Sequence, residues 1–327
     1  MNTFTGCLPD TRTKEEKAKD YKKDTTMFGP VVWEQKTFDE IPKFPVRNQD
    51  GSGTCVMQTG ALICGIENFL EEGKFIEFSV DLYNFRINKD SAGMIGVDAL
   101  NLLKKRGLTL EILIPSMNMG ESQIAKLKRS ISDDEIAKIF RIKDYWQLPF
   151  NIDSIATIME NGRKNMVAKP LMVWFQFPRA EWDSKPQLSD STSDIVHHSV
   201  TARDYGIVDG KKGIFVQDSW GLHSSTINGL RFISEDYLKD RMTFCAYVND
   251  LPNDYKENKN SDIIIKRILK IGSKGEDVKE LQRLLGITQD GVFGPVTWQA
   301  VRRFQQNNGL LVDGVVGKDT LQKLLNK

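Results

Sequence analysis

Histidine and cysteine are scarce in this 327-residue chain. There are three histidines, His197, His198 and His223, and four cysteines, Cys7, Cys55, Cys64 and Cys245. The cysteines form no CxxC pair and there is no HExxH segment, so the ligand spacing of a zinc site is missing and no metal is expected. Scattered thiols fit a reducing compartment at least as well as a disulfide framework. Glycine loops of the P-loop or dinucleotide kind are also missing, and with them the common phosphate cradles, so no cofactor is expected. No apolar run is long enough to span a bilayer, and no membrane partner is expected. The opening MNTFTGCLPDTRTKEEKAKD has neither the basic n-region nor the apolar h-region of a secretory signal. The expectation is synthesis in the cytoplasm without a signal peptide, with any outside role reached by another exit such as cell lysis.

Charge of one sign is lacking as well. Lys+Arg number 45 against 44 Asp+Glu, a formal net charge of +1, which argues against a nucleic-acid partner held by phosphate neutralisation. The balance is local, however. From Ile265 to Lys327 there are 11 basic and 6 acidic residues, a net of +5, leaving −4 for the rest. A mildly basic small module suits an anionic polymer surface.

The composition, 40% hydrophobic and 27% charged, is that of a globular chain long enough for two domains. Residues 1–29 are polar and read as an arm, a possible short pro-segment. From Pro30 the pattern turns apolar and aromatic. Cys55–Leu70 carries Val56, Met57, Ala61, Leu62, Ile63, Ile66 and Leu70, the content of a buried helix. Ala99–Lys105 reads as a second helix closed by Gly107. Beyond Pro149 short apolar or alternating runs take over, at Leu171–Phe177, Val196–Ala202, Gly213–Gln217 and Leu230–Ile233. Helices followed by strands make an α+β domain with a cleft between its halves. The polar stretch 251–264 reads as a linker. After it, DGVFGPVT at Asp290–Thr297 returns as DGVVGKDT at Asp313–Thr320, and LQRLL at Leu281–Leu285 is echoed by LQKLL at Leu321–Leu325. Each DGVxG turn feeds a helix, with Pro295 near the first helical position, so residues 265–327 read as a small all-α three-helix domain.

The chemistry concentrates at PVRNQDGSGTC, Pro45–Cys55. A cysteine opening a helix faces N–H groups and a macrodipole that favour its thiolate, the reactive form. Gln49, six residues earlier, can offer a side-chain N–H₂ to an oxyanion forming beside that sulfur. Attack on an amide also needs a group to protonate the leaving amine and one to orient that group. His197 and His198 begin the strand HHSVTARDYG, where neighbours point to opposite faces, so only one of them can meet Cys55. His223 lies in a polar loop. Asp218 in QDSWG could accept a hydrogen bond from the imidazole.

In order along residues 31–248 these segments resemble the papain-like cysteine peptidases: VVWE at Val31, PVRNQDGSGTC, FSVDLYN near Phe78, GMIGVDALNLLKKRGL from Gly93, HHSVTARDYG, QDSWG, and GLRFI at Gly229, similar to a GYxRI strand. The resemblance implies a two-lobed fold, a helical lobe and a β-barrel-like lobe with the cleft between. It implies Cys55 as nucleophile, Gln49 with the Cys55 N–H as oxyanion hole, His198 and not His197 as catalytic base and acid, and Asp218 as its orienting group. Gly93, Met94, His197 and Trp220 would line the substrate site, with Trp220 shielding the pair. Three departures stand out: Ser52 replaces a structural disulfide cysteine, Val56 an aromatic residue, and Asp218 an asparagine. A carboxylate there should hold the imidazole and raise its pKa. The arm occupies the place of a pro-segment, and Gly6–Asp10 would lie across the cleft, with Cys7 able to cap Cys55.

From Ile268 to Leu325 the chain resembles the three-helix peptidoglycan-binding domain of wall hydrolases. Together the two resemblances imply a monomeric wall peptidase of endolysin or autolysin type, made as a zymogen and acting at the bacterial cell wall. Its partners would be peptidoglycan and a peptide substrate. The alternatives are a wall-tethered protease whose substrates are proteins, and a wall-binding protein with a decayed peptidase domain.

Overall fold

The computed structural model describes residues 6–17, 30–89, 91–148, 150–183, 186–222, 225–249 and 267–325. The expected linker 251–264, His223 and residues 18–29 of the arm lie outside the described residues. The chain folds as two compact units, Met1–Asn253 and Asp254–Lys327.

In the first unit the helical half is built around α1, Cys55–Glu72. Its residues are buried on nearly every side, Gln58, Thr59 and Glu67 included, so it runs through the protein and not over its surface. It stops at Gly73, whose φ of +70° closes the last turn. Helix α2, Gly96–Arg106, extends past both ends of the expected Ala99–Lys105 and closes at Gly107. It starts at glycine for a steric reason: a Cβ on Gly96 would fall 1.2 Å from the Trp174 ring. Helix α3, Ile131–Ile139, is capped by Ser130, whose hydroxyl accepts from the Asp133 N–H while the Asp133 carboxylate accepts from the Ser130 N–H. Helix α4, Ile152–Asn161, is capped by the Asn151 side chain.

Among the described residues six strands form one antiparallel sheet: β1 Asp144–Gln147, β2 Leu171–Pro178, β3 Ile195–Val208, β4 Lys211–Gln217, β5 Leu230–Ser234 and β6 Met242–Asn249. Their order is β1-β6-β2-β3-β4-β5. The four expected strands are all present and longer than read; β1, β6 and α4 were not foreseen. β2 is buried on both faces except at Gln176 and carries a nearly continuous apolar run, which hides the two-residue alternation that marks a half-buried strand. β3 buries polar residues as well, His198, Ser199, Thr201, Arg203 and Asp204 among them. The core behind the sheet gathers Phe175, Phe177, Trp182, Val200, Ile214 and Tyr237, with Phe177 stacked on Trp182 at 4.6 Å. Helix α5, Glu235–Arg241, links β5 to β6.

Among its described residues the second unit holds three helices, α6 Glu276–Leu285, α7 Pro295–Asn307 and α8 Lys318–Leu325, around Leu269, Val278, Leu281, Phe293, Val301, Phe304 and Leu321. Pro295 occupies the start of α7 as read. The repeat has a structural cause. Gln282 Nε2 donates to Asp290 Oδ1, the Val292 carbonyl and Thr297 Oγ1, while its Oε1 accepts from the Gly291 N–H. Gln305 makes the same four bonds to Asp313, Val315, Thr320 and Gly314. The structural counterpart of Leu281-Gln282 is therefore Phe304-Gln305, 23 residues on, and not the LQ of α8.

A methyl at Gly96 meets an immovable indole, so Gly96→Ala is expected to lower stability by about 1–3 kcal/mol. A urea unfolding curve with an unchanged midpoint would contradict this packing.

Candidate active site

Cys55 is the first residue of α1, and the Gln58 N–H already donates to the Thr54 carbonyl at 2.8 Å. The thiol therefore sits at the positive end of an 18-residue helix whose first N–H groups have no partner within the helix. The turn before it is held by its own side chains. Ser52 Oγ donates to the Gln49 carbonyl at 2.6 Å and lies 2.7 Å from Thr54 Oγ1, so hydrogen bonds tie this turn.

The sheet brings the partners. His198 lies on β3 opposite Phe175 of β2. Asp218 follows the last residue of β4, where its N–H donates to the Gly229 carbonyl. His198 Nε2 and Asp218 Oδ1 are 2.8 Å apart with both side chains buried. Cys55 is close enough to act on the same imidazole, through its charge and a side-chain hydrogen bond that both favour the protonated ring. His197 turns to the other face of β3, half-buried, and joins no part of this row. The indole of Trp220 lies tilted against the His198 ring, 4.8 Å between centroids.

The two halves meet where the loop before α1 pairs with the end of QDSWG. Asn48 and Trp220 form an antiparallel bridge, the Gln49 N–H donates to the Ser219 carbonyl at 2.9 Å, and Ser219 Oγ donates to Gln49 Oε1 at 2.8 Å. Gln49 Nε2 gives one proton to the Ser52 carbonyl. The buried amide is thus fixed in rotation and in the identity of its two ends.

Electrostatics follow from this packing. Burial pushes the His198 imidazolium down, but the Asp218 charge and hydrogen bond, with help from Cys55, overcome it and carry the ring up to about 9. Burial pushes Asp218 up, yet His198, Arg231 and Trp182 hold its carboxyl well below the usual range. Burial drives the Cys64 and Cys245 thiols far up, as befits inert core residues. His197 is pulled down by partial burial.

Residues 6–8 of the arm lie on this row. A Cβ on Gly6 would fall 2.5 Å from Cys55 Sγ, so the arm's backbone rests on the sulfur. The Met94 N–H donates to the Gly6 carbonyl and the Leu8 N–H to the Met94 carbonyl, both at 3.0 Å, in a parallel bridge centred on Cys7 and Met94. Cys7 is buried, and its thiol is pushed well up by burial and by Cys55. Of the four residues expected to line the substrate site, Met94 thus bonds the arm through its backbone. Gly93 turns its N–H inward, to the Tyr83 hydroxyl at 2.6 Å. Sequence reasoning missed Trp182 and Arg231, which both reach Asp218 Oδ2; each reads as an ordinary core or strand residue.

The C-terminal unit matches a protein-family model described as "Putative peptidoglycan binding domain" over residues 274–324. The spore cortex-lytic enzyme of Bacillus cereus is 41% identical over 73 residues, 20% of this chain and 28% of that protein. The chain thus spans under a third of that relative's length. Over 76% of this chain the fold is similar to xylellain, a cysteine protease from Xylella fastidiosa, at 17% identity, covering 96% of that chain with a TM-score of 0.58. It is also similar to digestive procathepsin L 3 of the Tenebrio molitor larval midgut, at 17% identity over 71% of this chain and 76% of that one, with a TM-score of 0.50. The fold is therefore the papain-like one of cysteine proteases. The same chain carries the C-terminal unit that matches the peptidoglycan-binding family model.

With only three histidines, the ring ¹⁵N titration of the whole chain is readable. One signal, lost in His198→Ala, should titrate near pH 9, and that of His197 below the ordinary value. Because the folded-state value of His198 is the raised one, its contribution to stability is complete below pH 6.5 and fades as pH rises through 9. A His198 signal that titrates at 6.5 would break the Asp218 pairing described above.

Proposed function

We propose that the chain is a cysteine peptidase that cuts peptide cross-links or stems of peptidoglycan, held on the wall by its C-terminal domain. The observation that carries this is the buried row of Cys55, His198 and Asp218 in one chain with a peptidoglycan-binding domain. In this reading Cys55 attacks the amide carbonyl. The oxyanion is met by the Cys55 N–H and by the Gln49 Nε2 proton that Ser52 does not take. His198, held by Asp218, protonates the leaving amine and then draws a proton from the water that releases the acyl-enzyme. The wall domain concentrates the enzyme on a polymer, where binding becomes an effectively intramolecular event.

The arm makes the chain a zymogen in this proposal. An acyl-side substrate segment would run from Cys55 past Met94 toward its own N-terminus, because the residues before a scissile bond are the N-terminal ones. The arm runs the other way: Cys7 and Leu8, which follow Gly6, lie along Met94. It fills the backbone sites of Met94 and presents no carbonyl in the orientation for attack. The fold's likeness to xylellain and to a procathepsin favours a second reading, in which the substrates are proteins and the wall is only the place of action.

Purified sacculi treated with reduced enzyme should release muropeptides with new termini, detected by mass spectrometry, and Cys55→Ala should release none. Intact sacculi beside digested casein would replace the first reading with the second; inactivity on both would end the peptidase reading. Gln49→Ala should lower kcat by about 10²–10³-fold, the usual cost of one oxyanion donor. Deleting residues 1–17 should raise the initial rate by on the order of tenfold or more, since a tethered blocker acts at a millimolar effective concentration. An unchanged rate would rule out inhibition by the arm.

A further inference from the structure

We propose that Arg231 is a positioning residue of this site: its guanidinium holds the second oxygen of Asp218 and balances that carboxylate's charge, which sets how firmly His198 keeps its proton. The inference rests on reading the site as that of a cysteine peptidase and adds a fourth member to its row.

Arg231 lies on β5 with its side chain wholly buried. Its Nε donates to Asp218 Oδ2 at 3.0 Å and an Nη to the Trp182 carbonyl at 2.8 Å, with the guanidinium 5.1 Å from the Trp182 ring. Trp182 Nε1 donates to the same Oδ2 at 2.8 Å. The other oxygen, Oδ1, meets His198 Nε2 at 2.8 Å and the Ser219 N–H at 2.7 Å. Two oxygens thus take two partners each, which leaves the carboxylate no freedom to rotate away from the imidazole.

The place of Arg231 in the strand is itself informative. In GLRFI it stands one residue earlier than the arginine of the GYxRI pattern, and on a strand one residue changes the face. Arg231 points into the core while Phe232 turns to the other side, against Phe215. An apolar residue would fill a core position on β5 as Leu230 and Ile233 do, and a buried ion pair adds little stability over such packing. Its value lies with Asp218. When Cys55 has passed its proton to His198, the row alternates thiolate, imidazolium, carboxylate, guanidinium, and its charges cancel. Without Arg231 the carboxylate would act on the imidazolium alone. A ring that keeps its proton too firmly is a poor acid toward the leaving amine.

The other charged groups near the row are accounted for. Cys7 of the arm faces Cys55. Glu181, on the short helix Ala180–Asp183 beside Trp182, is paired with Arg241 of α5 at 2.8 Å. The Tyr237 hydroxyl of α5 is pushed far up by burial and by Glu181, so it stays neutral. Arg231 is thus the cation bonded to Asp218 opposite His198.

The test is the ¹⁵N titration of His198 in the full chain, which needs no substrate. Arg231→Gln keeps an N–H donor and removes the charge; Arg231→Lys keeps the charge and removes the fork. The glutamine variant should titrate about one pH unit higher than wild type, a tenfold change in the proton equilibrium, with kcat reduced and KM unchanged on a cleaved peptide. The lysine variant should recover at least half of that shift. A folded Arg231→Gln chain whose His198 titrates as wild type overturns the proposal, and so does a lysine variant indistinguishable from it. If Arg231→Gln does not fold, Asp218→Asn and the double variant Asp218→Asn/Arg231→Gln carry the test. The single change strands a buried cation and should unfold at lower temperature than the double change; equal midpoints overturn the charge pairing. Lack of cleavage by wild type would end the peptidase reading while leaving the titration result to stand by itself.

Discussion

The bond on which this site depends is the one between His198 Nε2 and Asp218 Oδ1, 2.8 Å long and buried. A carboxylate taken out of water survives only if its lone pairs are met, and here His198, the Ser219 N–H, Trp182 and Arg231 meet them. Each of those donors comes from a different stretch: a strand, the loop after β4, a short helix and β5. The carboxylate therefore organises the sheet end around itself. The imidazole it orients reaches Cys55 because the Asn48–Gln49 loop, which leads into α1, is stitched to Ser219 and Trp220 next door. One set of hydrogen bonds positions a thiol from the helical half against a ring from the sheet half.

In the proposed zymogen reading, the arm uses the same physics against the site. A cleft that binds an extended peptide through backbone N–H and C=O groups will bind any extended segment, and Met94 offers one of each. Gly6 is what makes the approach so close, because only a residue without a Cβ can lay its backbone on Cys55 Sγ. Direction separates a blocker from a substrate, and a parallel bridge sets that direction with no change in the groups that bond.

The second unit shows a different economy. Its three helices are short and their core is a single layer of about ten apolar side chains, too small to specify two tight turns by packing alone. Gln282 and Gln305 supply the specification, each buried side chain closing one DGVxG turn through four hydrogen bonds. A short side chain could not span the turn, and a carboxylate could not donate to the carboxylate, carbonyl and hydroxyl oxygens met here. The repeated Asp and Gly are thereby explained as bonding partners of a glutamine on the preceding helix.

The amino-acid sequence by itself determined which residues are candidates for chemistry and that a repeat-bearing segment follows a polar stretch near the C-terminal end. Cys55 opens an apolar run, His198 is one of three histidines, Asp218 sits in QDSWG, and the DGVxG period marks the small helical unit. These are local facts, carried by residue type, spacing and helix-start chemistry. Strands β1 and β6 were illegible for a physical reason: a short edge strand and a strand buried on both faces lack the alternation by which strands are read. The roles of Gly93 and Met94 could not be told apart either, since that depends on which N–H turns inward to Tyr83. Only the tertiary structure decided that Arg231 and Trp182 share an oxygen of Asp218, and that Gly6 rests on Cys55. Both are contacts between segments far apart in the chain, made by residue types that elsewhere serve as strand filler, core or loop. No local pattern encodes such a meeting, because it is fixed by how separate elements pack.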